Sequence, residues 1–520
     1  LVDAHVENLD IAAAITRIMR TGAPDVVGIG YWTPQAPYTY ALSDAIRRAS
    51  PGTVILHGGV HPILLPEESL AHADACLLHE SERSLVSFLQ VLEDRHAWST
   101  VSGIALIREG ELHKQAPAPF IPDLDSIPFP AWDLADMNRY DTPLHVVGGR
   151  RLPIIMSRGC PYSCSFCVSP YIWLRTVRWR SAANVVDEMA LAIKRYGLNQ
   201  YHFWDDNLLL DRRRVESLCE EILTRKLRIK WVGLSRASHV VKRRELLPLL
   251  RRAGCVGIEV GIESADVEAL KVLHKQQTTS EVEEALRLQS EAGMTPLYTL
   301  MAFNPGETIT GYHLQTEFIN RLINRDGGRK LYVGQFCTAY PGTEFYREAP
   351  KLGMVLAEGW QDYHHHNIKF LPNSLLDDRP LRRLDRLGWR HRFVVLLESY
   401  LWRYDAYPDP RSRGSLLRRF AIEWRALTAL FAAADGGHTV RELAGAIAAG
   451  TGDDHRESLR IVAFMVMIGG QIGIFASVGA ADNVHAREIR FNRRAPNRLY
   501  RLLARLDGLT GRKPAARTRA

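Results

Sequence analysis

An α/β architecture in three parts is predicted for this chain: an N-terminal Rossmann-like domain, a partial (β/α)6 barrel and a mainly α C-terminal region. Near the start, β-branched runs alternate with segments of helical spacing. Between Arg150 and Leu352 that alternation recurs six times, and afterwards amphipathic segments with an arginine face take over.

Ile11, Ile15, Ile18 and Met19 share one helical face, and Asp25 to Tyr31 (DVVGIGY) is the strand that follows. A second helix and strand end in Thr53 to Leu56 and the turn HGGVHP. Alternation of this kind predicts a parallel sheet, and such sheets bind ligands beyond the carboxyl ends of their strands. Those ends carry Gly30 to Pro34, His57 to His61 and His79 to Glu82. Gly58 and Gly59 allow close backbone approach, while His57 and His61 read equally as turn residues or as ligand contacts. Pro117, Pro119, Pro122, Pro128 and Pro130 predict an extended connector. The domains are therefore 1–112, a proline-rich linker 113–149, the barrel 150–352 and a basic helical region 353–520.

Six strands are predicted in the barrel: Pro153 to Met156, Tyr201 to Trp204, Lys230 to Leu234, Val256 to Ile262, Thr295 to Phe303 and Tyr332 to Tyr340. Functional groups in this architecture gather where strands end. Beyond the barrel, Leu381 to Tyr404 and Ser415 to Ala433 have helical spacing with arginines on one face. Thr439 and Glu442 form a capping box that opens a helix to about Gly450, with a second helix through Ile468 and a strand at Glu488 to Asn492. This last stretch resembles a small winged-helix module.

Composition bounds the class. The chain has 520 residues, 46% apolar and 24% charged, which suits about three globular domains and excludes disordered and fibrous proteins. No run of eighteen apolar residues is present, and Leu1 to Asp10 lacks the pattern of a secretory signal. Seven cysteines, three of them clustered, fit a reducing compartment better than a disulfide framework; the expectation is cytoplasmic. The net charge of +8 is concentrated late, with 26 basic against 13 acidic residues from Arg379 onward. Such helices fit peripheral contact with an anionic membrane, and nucleic acid is not expected as a partner.

Cys160, Cys164 and Cys167 lie in the stretch SRGCPYSCSFC, a C-x3-C-x2-C spacing just after an apolar run. A four-iron cluster normally takes four thiolates, so a compact triad leaves one iron open to a small molecule. Structural zinc prefers four ligands in pairs, and no second pair lies nearby. The triad, with Phe166 before its third cysteine, resembles the signature of the radical S-adenosylmethionine (SAM) enzymes. That resemblance implies a [4Fe-4S] cluster on Cys160, Cys164 and Cys167, with SAM chelated at the open iron.

Further motifs follow in the same family's order. Trp204-Asp205-Asp206-Asn207 stands where the family often has Gly-Gly-Glu, so Asp205 or Asp206 is expected to bind the SAM amino group. Arg236 is expected to pair with the SAM carboxylate, and the GIES segment ending in Glu263 and Ser264 to lie along SAM. Phe303 to Thr308 and Ala339 to Glu344 resemble the family's PGET and YPGT motifs. The stretches DVVGIGYWT, HGGVHPILLPEE and LLHESERSL resemble the cobalamin-binding domain that precedes many such barrels, which implies cobalamin near Thr33, Gly58, Gly59, His61 and Glu80. By that resemblance the domain's first strand and helix are absent and the chain opens at the second strand, LVDAHVEN. The Asp-x-His-x-x-Gly motif that gives histidine to cobalt is missing, so no histidine ligand is expected. Cys337 is a candidate hydrogen-atom donor, although most such cysteines are core. Cys76, Cys219 and Cys255 read as core, and His364 to His366 as a solvated loop.

The resemblance implies a cobalamin-dependent radical SAM methyltransferase acting at an unactivated carbon through a 5′-deoxyadenosyl radical and methylcobalamin. An oxidative cyclase or other radical rearrangement on the same scaffold is the nearest alternative, as in the anaerobic magnesium-protoporphyrin ester cyclase. A non-catalytic cobalamin or iron-sulfur sensor with a nucleic-acid- or protein-binding C-terminal module is the alternative of another class. Transfer RNA methylthiolation is disfavoured, because the N-terminal region has only Cys76 where that group carries three cysteines. Expected partners are a small-molecule, lipid, tetrapyrrole or peptide substrate and an electron donor such as flavodoxin or ferredoxin.

Overall fold

The computed structural model describes residues 1–139 apart from His5, 151–302, 304, 318, 332–352, 354–356, 359–360, 363, 371–372, 381–384, 439–451 and 475–477. It divides into two compact units, the first comprising residues 1–296, 300–306 and 335–373 and the second the rest.

The first unit opens with turns, not a strand: in LVDAHVEN the Asp3 carboxylate accepts from Val6 N at 3.0 Å, and Glu7 N donates to Asp3 O at 2.8 Å. A side chain that closes its own backbone turn competes with strand pairing. Asp10 then caps α1 (Ile11–Ile18) by accepting from Ala13 N.

The N-terminal sheet has the order β1 (Val26–Gly30), β2 (Val54–Gly58), β3 (Ala75–Leu77), β4 (Ile104–Arg108), β5 (Glu111–Lys114). The first three are parallel. The last two are antiparallel, which corrects the expectation of a purely parallel sheet. Only Glu109 and Gly110 separate β4 from β5, both with positive φ, and a two-residue turn can join only antiparallel strands. Val54, Leu56, Phe88, Trp98 and Ile104 fill one face of this sheet, and Ala14, Leu42, Ile46 and Ile55 the other.

The prolines after β5 do produce an extended path, with short 3-10 turns and no α-helix in 115–139. That path is tied down. Ser181 N donates to Asp125 at 2.8 Å, and Trp132 Nε1 donates to Glu188 at 3.3 Å.

The barrel sheet runs in sequence order: β6 (Leu152–Ile154), β9 (Gln200–Phe203), β10 (Lys230–Ser235), β11 (Cys255–Glu263), β12 (Leu297–Ala302), β13 (Tyr332–Phe336). The pairings of β6, β9, β10 and β11 are parallel, and all six predicted strands are present. Between β6 and β9 lie a short ribbon, β7 (Ser157–Arg158) with β8 (Arg178–Trp179), α6 (Ser169–Trp173) and α7 (Ala182–Tyr196). Ser181 caps α7 and Gly197, at φ 65°, ends it.

In the second unit, Val440–Thr451 is the helix predicted from the capping box, with Glu442 N donating to Thr439 Oγ1 at 3.2 Å. Leu381–Leu384, expected to begin a helix, forms a strand antiparallel to Phe475–Ser477. A distant partner supplies its backbone hydrogen bonds, which overrides local spacing. The predicted helix Ser415 to Ala433, the strand Glu488 to Asn492, the motif Pro305 to Thr308 and His364 to His366 lie outside the described residues. No described helix is long and apolar enough to cross a membrane.

Candidate active site

The three cysteines sit on the loop between β7 and α6, and the β7/β8 ribbon pinches the base of that loop. Gly159 turns the chain into it at φ 96°, where an added Cβ would lie 2.0 Å from Thr176 O, so only glycine fits. Inside the loop, Cys167 N donates to Cys164 O at 3.1 Å. Ser165 fastens it to the turn after α11 (Val267–Val272): its N donates to Leu273 O at 3.1 Å and its Oγ to Val272 O at 2.9 Å. Phe166 packs against an apolar cluster containing Leu273, Met301, Cys337 and Phe345. That places Cys337, fully buried, in a core beside the cysteine loop.

All three cysteines are free and half-buried. Burial pushes the Cys167 thiol up to about 12 and Cys160 upward as well, so both are protonated near neutral pH until metal replaces the proton. Among the described residues no three His, Cys, Asp or Glu side chains converge as ligands of one ion would. Three soft thiol donors spread along one loop suit the separate irons of a cluster better than a single zinc.

Asp205 and Asp206 both serve this loop. Asp205, fully buried, accepts from Met156 N at 3.0 and 3.2 Å and from the Ser157 hydroxyl. Burial raises its pKa to about 6 despite those bonds. Asp206 accepts from Ser169 Oγ at 2.8 Å, on the far side of the cysteines. Arg236 stacks 4.1 Å from the centre of the Tyr162 ring, points Nη1 at Cys164 Sγ (3.6 Å) and donates Nη2 to the carbonyls of Lys275 and, at 3.1 Å, Gln276. Its Nη2 is thus spent on main chain, in a side chain expected to pair with a SAM carboxylate.

Glu263 ends β11 at φ 64° and pairs with Lys275 at 2.6 Å. Gly261 makes room for that pair: a Cβ there would lie 2.3 Å from Glu263 Oε1 and 2.9 Å from Lys275 Nζ. Ser264 is buried beside it, its Oγ accepting from Asp266 N at 3.0 Å. Asn304 Nδ2 donates to Glu263 O at 3.4 Å. Lys275 has no motif around it that points to a site, and only the fold brings it here.

The residues expected around cobalamin divide differently. Gly58 ends β2, and Gly59, at φ 93°, lets Tyr31 approach; a Cβ would lie 2.6 Å from Tyr31 O. His57 is on the strand and His61 in the helix Val60–Leu64, so neither is a turn residue. Both are buried. His57 bonds the hydroxyls of Tyr31 (3.1 Å) and Ser43 (2.8 Å), and His61 those of Tyr40 (2.9 Å) and Thr33 (3.2 Å). Burial lowers both to about 4, and these contacts make them, with Thr33, internal struts.

Glu80 is likewise turned inward. It accepts from Ile121 N (2.6 Å), Arg158 Nη1 (2.5 Å) and Arg178 Nη1 (2.7 Å). Burial alone would raise its pKa, but the bonds from Arg178, Ile121 N and Arg158 outweigh that and hold it low. A residue expected at a ligand is therefore a brace on the ribbon below the cysteines. Arg178 and Arg180, two apart on a strand edge, are the signal that sequence reading passed over; Arg180 meets Glu188 at 2.6 Å.

The family model of the radical SAM superfamily matches residues 154–313, the span from the first barrel strand through the cysteine loop and β12. Residues 154–313 are thus a radical SAM domain. Among curated relatives of the chain, an uncharacterized methyltransferase of Pyrococcus horikoshii is 25% identical over 70% of this chain and 77% of its own. The anaerobic magnesium-protoporphyrin IX monomethyl ester cyclase of Cereibacter sphaeroides is 32% identical over 53% of this chain and 45% of its own. In fold, the chain is similar to the cobalamin-dependent SAM radical enzyme OxsB, solved with aqua-cobalamin and SAM bound: TM-score 0.62, 17% identity, 90% of this chain and 74% of that one.

Proposed function

We propose that this chain is a cobalamin-dependent radical SAM methyltransferase acting at an unactivated carbon. The observation that carries the reading is a three-cysteine loop fastened at the carboxyl edge of a six-stranded barrel, with a Rossmann-like sheet in the same compact unit. The methyltransferase relative, matched over most of both chains, supports it.

Cys160, Cys164 and Cys167 would hold a [4Fe-4S] cluster, and the end of β11 at Glu263 and Ser264 is where SAM would lie. When bound, the cluster and SAM supply a carbon radical for hydrogen abstraction, and cobalamin supplies the methyl group. The chain itself aligns the parts. Asp205 and Asp206 anchor the two ends of the cysteine loop, Ser165 and Arg236 tie its middle to the β11 side, and Glu80 braces the ribbon beneath. Alignment of this kind is where binding energy lowers a barrier. The proposed setting is cytoplasmic, with a flavodoxin- or ferredoxin-type electron donor and a lipid, tetrapyrrole, peptide or other small-molecule substrate.

The test is metal content and SAM cleavage on protein reconstituted without oxygen in the presence of cobalamin. About four irons and one cobalt per chain, with deoxyadenosine release, are expected. Iron and cleavage without cobalt would overturn the cobalamin assignment, and absence of cleavage would overturn the radical reading. Once a substrate is found, a mass gain of about 14 Da marks methyl transfer; a change in oxygen or hydrogen count marks the cyclase chemistry instead.

A further inference from the structure

Polar groups face the barrel interior that neither the cysteine loop nor the β11 terminus uses. Alternate residues of a strand take opposite faces. On β9, Tyr201 points to the helical layer, its hydroxyl donating to Met189 O at 2.9 Å and Leu198 O at 2.8 Å. Phe203 packs on Trp231, whose Nε1 donates to Ala253 O at 2.9 Å. Gln200 and His202 therefore face inward, and Trp204 follows just past the end of the strand. Register pairs His202 with Val232 and Val232 with Gly257, which puts Glu259, two residues further along β11, on that same inner face.

His202 is only 5% exposed, yet among the described residues neither ring nitrogen has a hydrogen-bond partner. Such orphaned buried groups in a folded protein call for a reason. One strand position below, Gln200 Oε1 is also buried without a partner. Burial, with the positive charge of Arg151, lowers His202 to about 4, so the ring is neutral and offers one N–H donor and one bare acceptor. Above it, Trp204 stands 56% exposed, its ring centre 5.1 Å from the imidazole, and among the described residues no hydrogen bond engages its indole. Most tryptophans hide such an area, so an indole left open at the rim of a barrel marks a stacking surface.

Charge narrows the ligand. A cation here would meet Arg151, and an anion would meet Glu259, whose pKa burial and the neighbouring Glu263 raise to about 7 against the pull of Arg151. A neutral group that both donates and accepts meets neither penalty and satisfies both imidazole nitrogens.

We propose that His202 and Trp204 form a substrate subsite within the barrel, where His202 takes a neutral hydroxyl or amide group and Trp204 stacks on the flat apolar skeleton that carries it. Naming the ligand a substrate rests on the radical SAM reading; the binding itself does not.

The experiment is calorimetric titration of the full chain with three probes of one skeleton: 2-naphthamide, 2-naphthoate and 2-naphthylmethylammonium. The amide is expected to bind at least tenfold more tightly than either ion. His202→Phe, which keeps a ring of similar size but no nitrogens, should abolish that preference, and Trp204→Ala, at an exposed position, should weaken all three probes together. Equal binding of the three probes, no binding by any of them, or an amide affinity unchanged in both variants would overturn the subsite. Wild-type SAM cleavage, measured without the probes, separates the two claims: cleavage without probe preference removes the subsite alone, and preference without cleavage removes the radical SAM reading alone.

Discussion

Replacing Glu80 by alanine separates a structural brace from a ligand contact. In the wild type its carboxylate takes hydrogen bonds from Ile121 N, Arg158 and Arg178, all at 2.9 Å or less. Removing one partner of a buried ion pair costs about 3–5 kcal/mol, because the other charge stays buried. Arg158 would keep Glu82 at 2.7 Å, and Arg178 would keep Ile121 O at 2.8 Å and the face of Phe120 at 4.5 Å. Those remaining contacts place the loss at the low end, about 3 kcal/mol, or on the order of a hundredfold in the unfolding equilibrium. The assay is urea unfolding of the metal-free chain, followed by near-ultraviolet circular dichroism and by proteolysis across residues 158–180. Glu80→Ala should lower the first midpoint and open that ribbon, while Glu80→Gln, which retains an acceptor, should lose less. Because the folded carboxyl is held below its ordinary pKa, the stabilisation is present above about 4.5 and disappears as pH falls. An unmoved midpoint together with lost cobalamin binding would refute the brace and restore the residue to the cofactor.

Three further outcomes follow from the same geometry. Alanine at Cys160, Cys164 or Cys167 should each abolish retention of the iron cluster while the N-terminal sheet stays folded; a variant with full iron content would remove that cysteine from the ligand set. Gly159→Ala, forced at φ 96° against Thr176 O, should reduce iron incorporation to near that of the cysteine variants, and normal incorporation would show that the ribbon can open without consequence. Asp205, raised by burial from 3.8 to about 6, binds its proton more tightly folded than unfolded, so its contribution is present below 3.8 and is lost as pH rises through 6. Asp205→Asn should flatten the pH dependence of the urea midpoint between pH 4 and 7 by on the order of 3 kcal/mol, and an unchanged slope would place that titration elsewhere.

Much of the barrel was legible because its signals are local. Each strand is a short apolar run bounded by polar turns, and strands consecutive in the chain usually lie side by side in a sheet. The cysteine loop was legible for a related reason, since its donors lie within eight consecutive residues. The antiparallel end of the first sheet was missed although Glu109-Gly110 carries a turn signal, because alternation upstream argued for parallel strands. Leu381–Leu384 was misread as helix because its partner lies at Phe475–Ser477, beyond any local window.

Roles at the site were less legible than positions. Sequence motifs put Asp205, Arg236, Glu80 and His61 at strand ends, and the structure keeps them there, but it spends their polar atoms on Met156 N, the carbonyls of Lys275 and Gln276, two arginines and two hydroxyls. Which acceptor a donor finds depends on loops far apart in the chain, and those meet only after the sheets close. By itself the sequence determined the cysteine triad and the barrel strands, which follow from residue type and spacing, and it carried the resemblance that implied radical SAM chemistry. Only the tertiary structure decided that Glu80 braces, that Lys275 pairs with Glu263 and that His202 finds no hydrogen-bond partner among the described residues, because burial and hydrogen-bond satisfaction are properties of the closed fold.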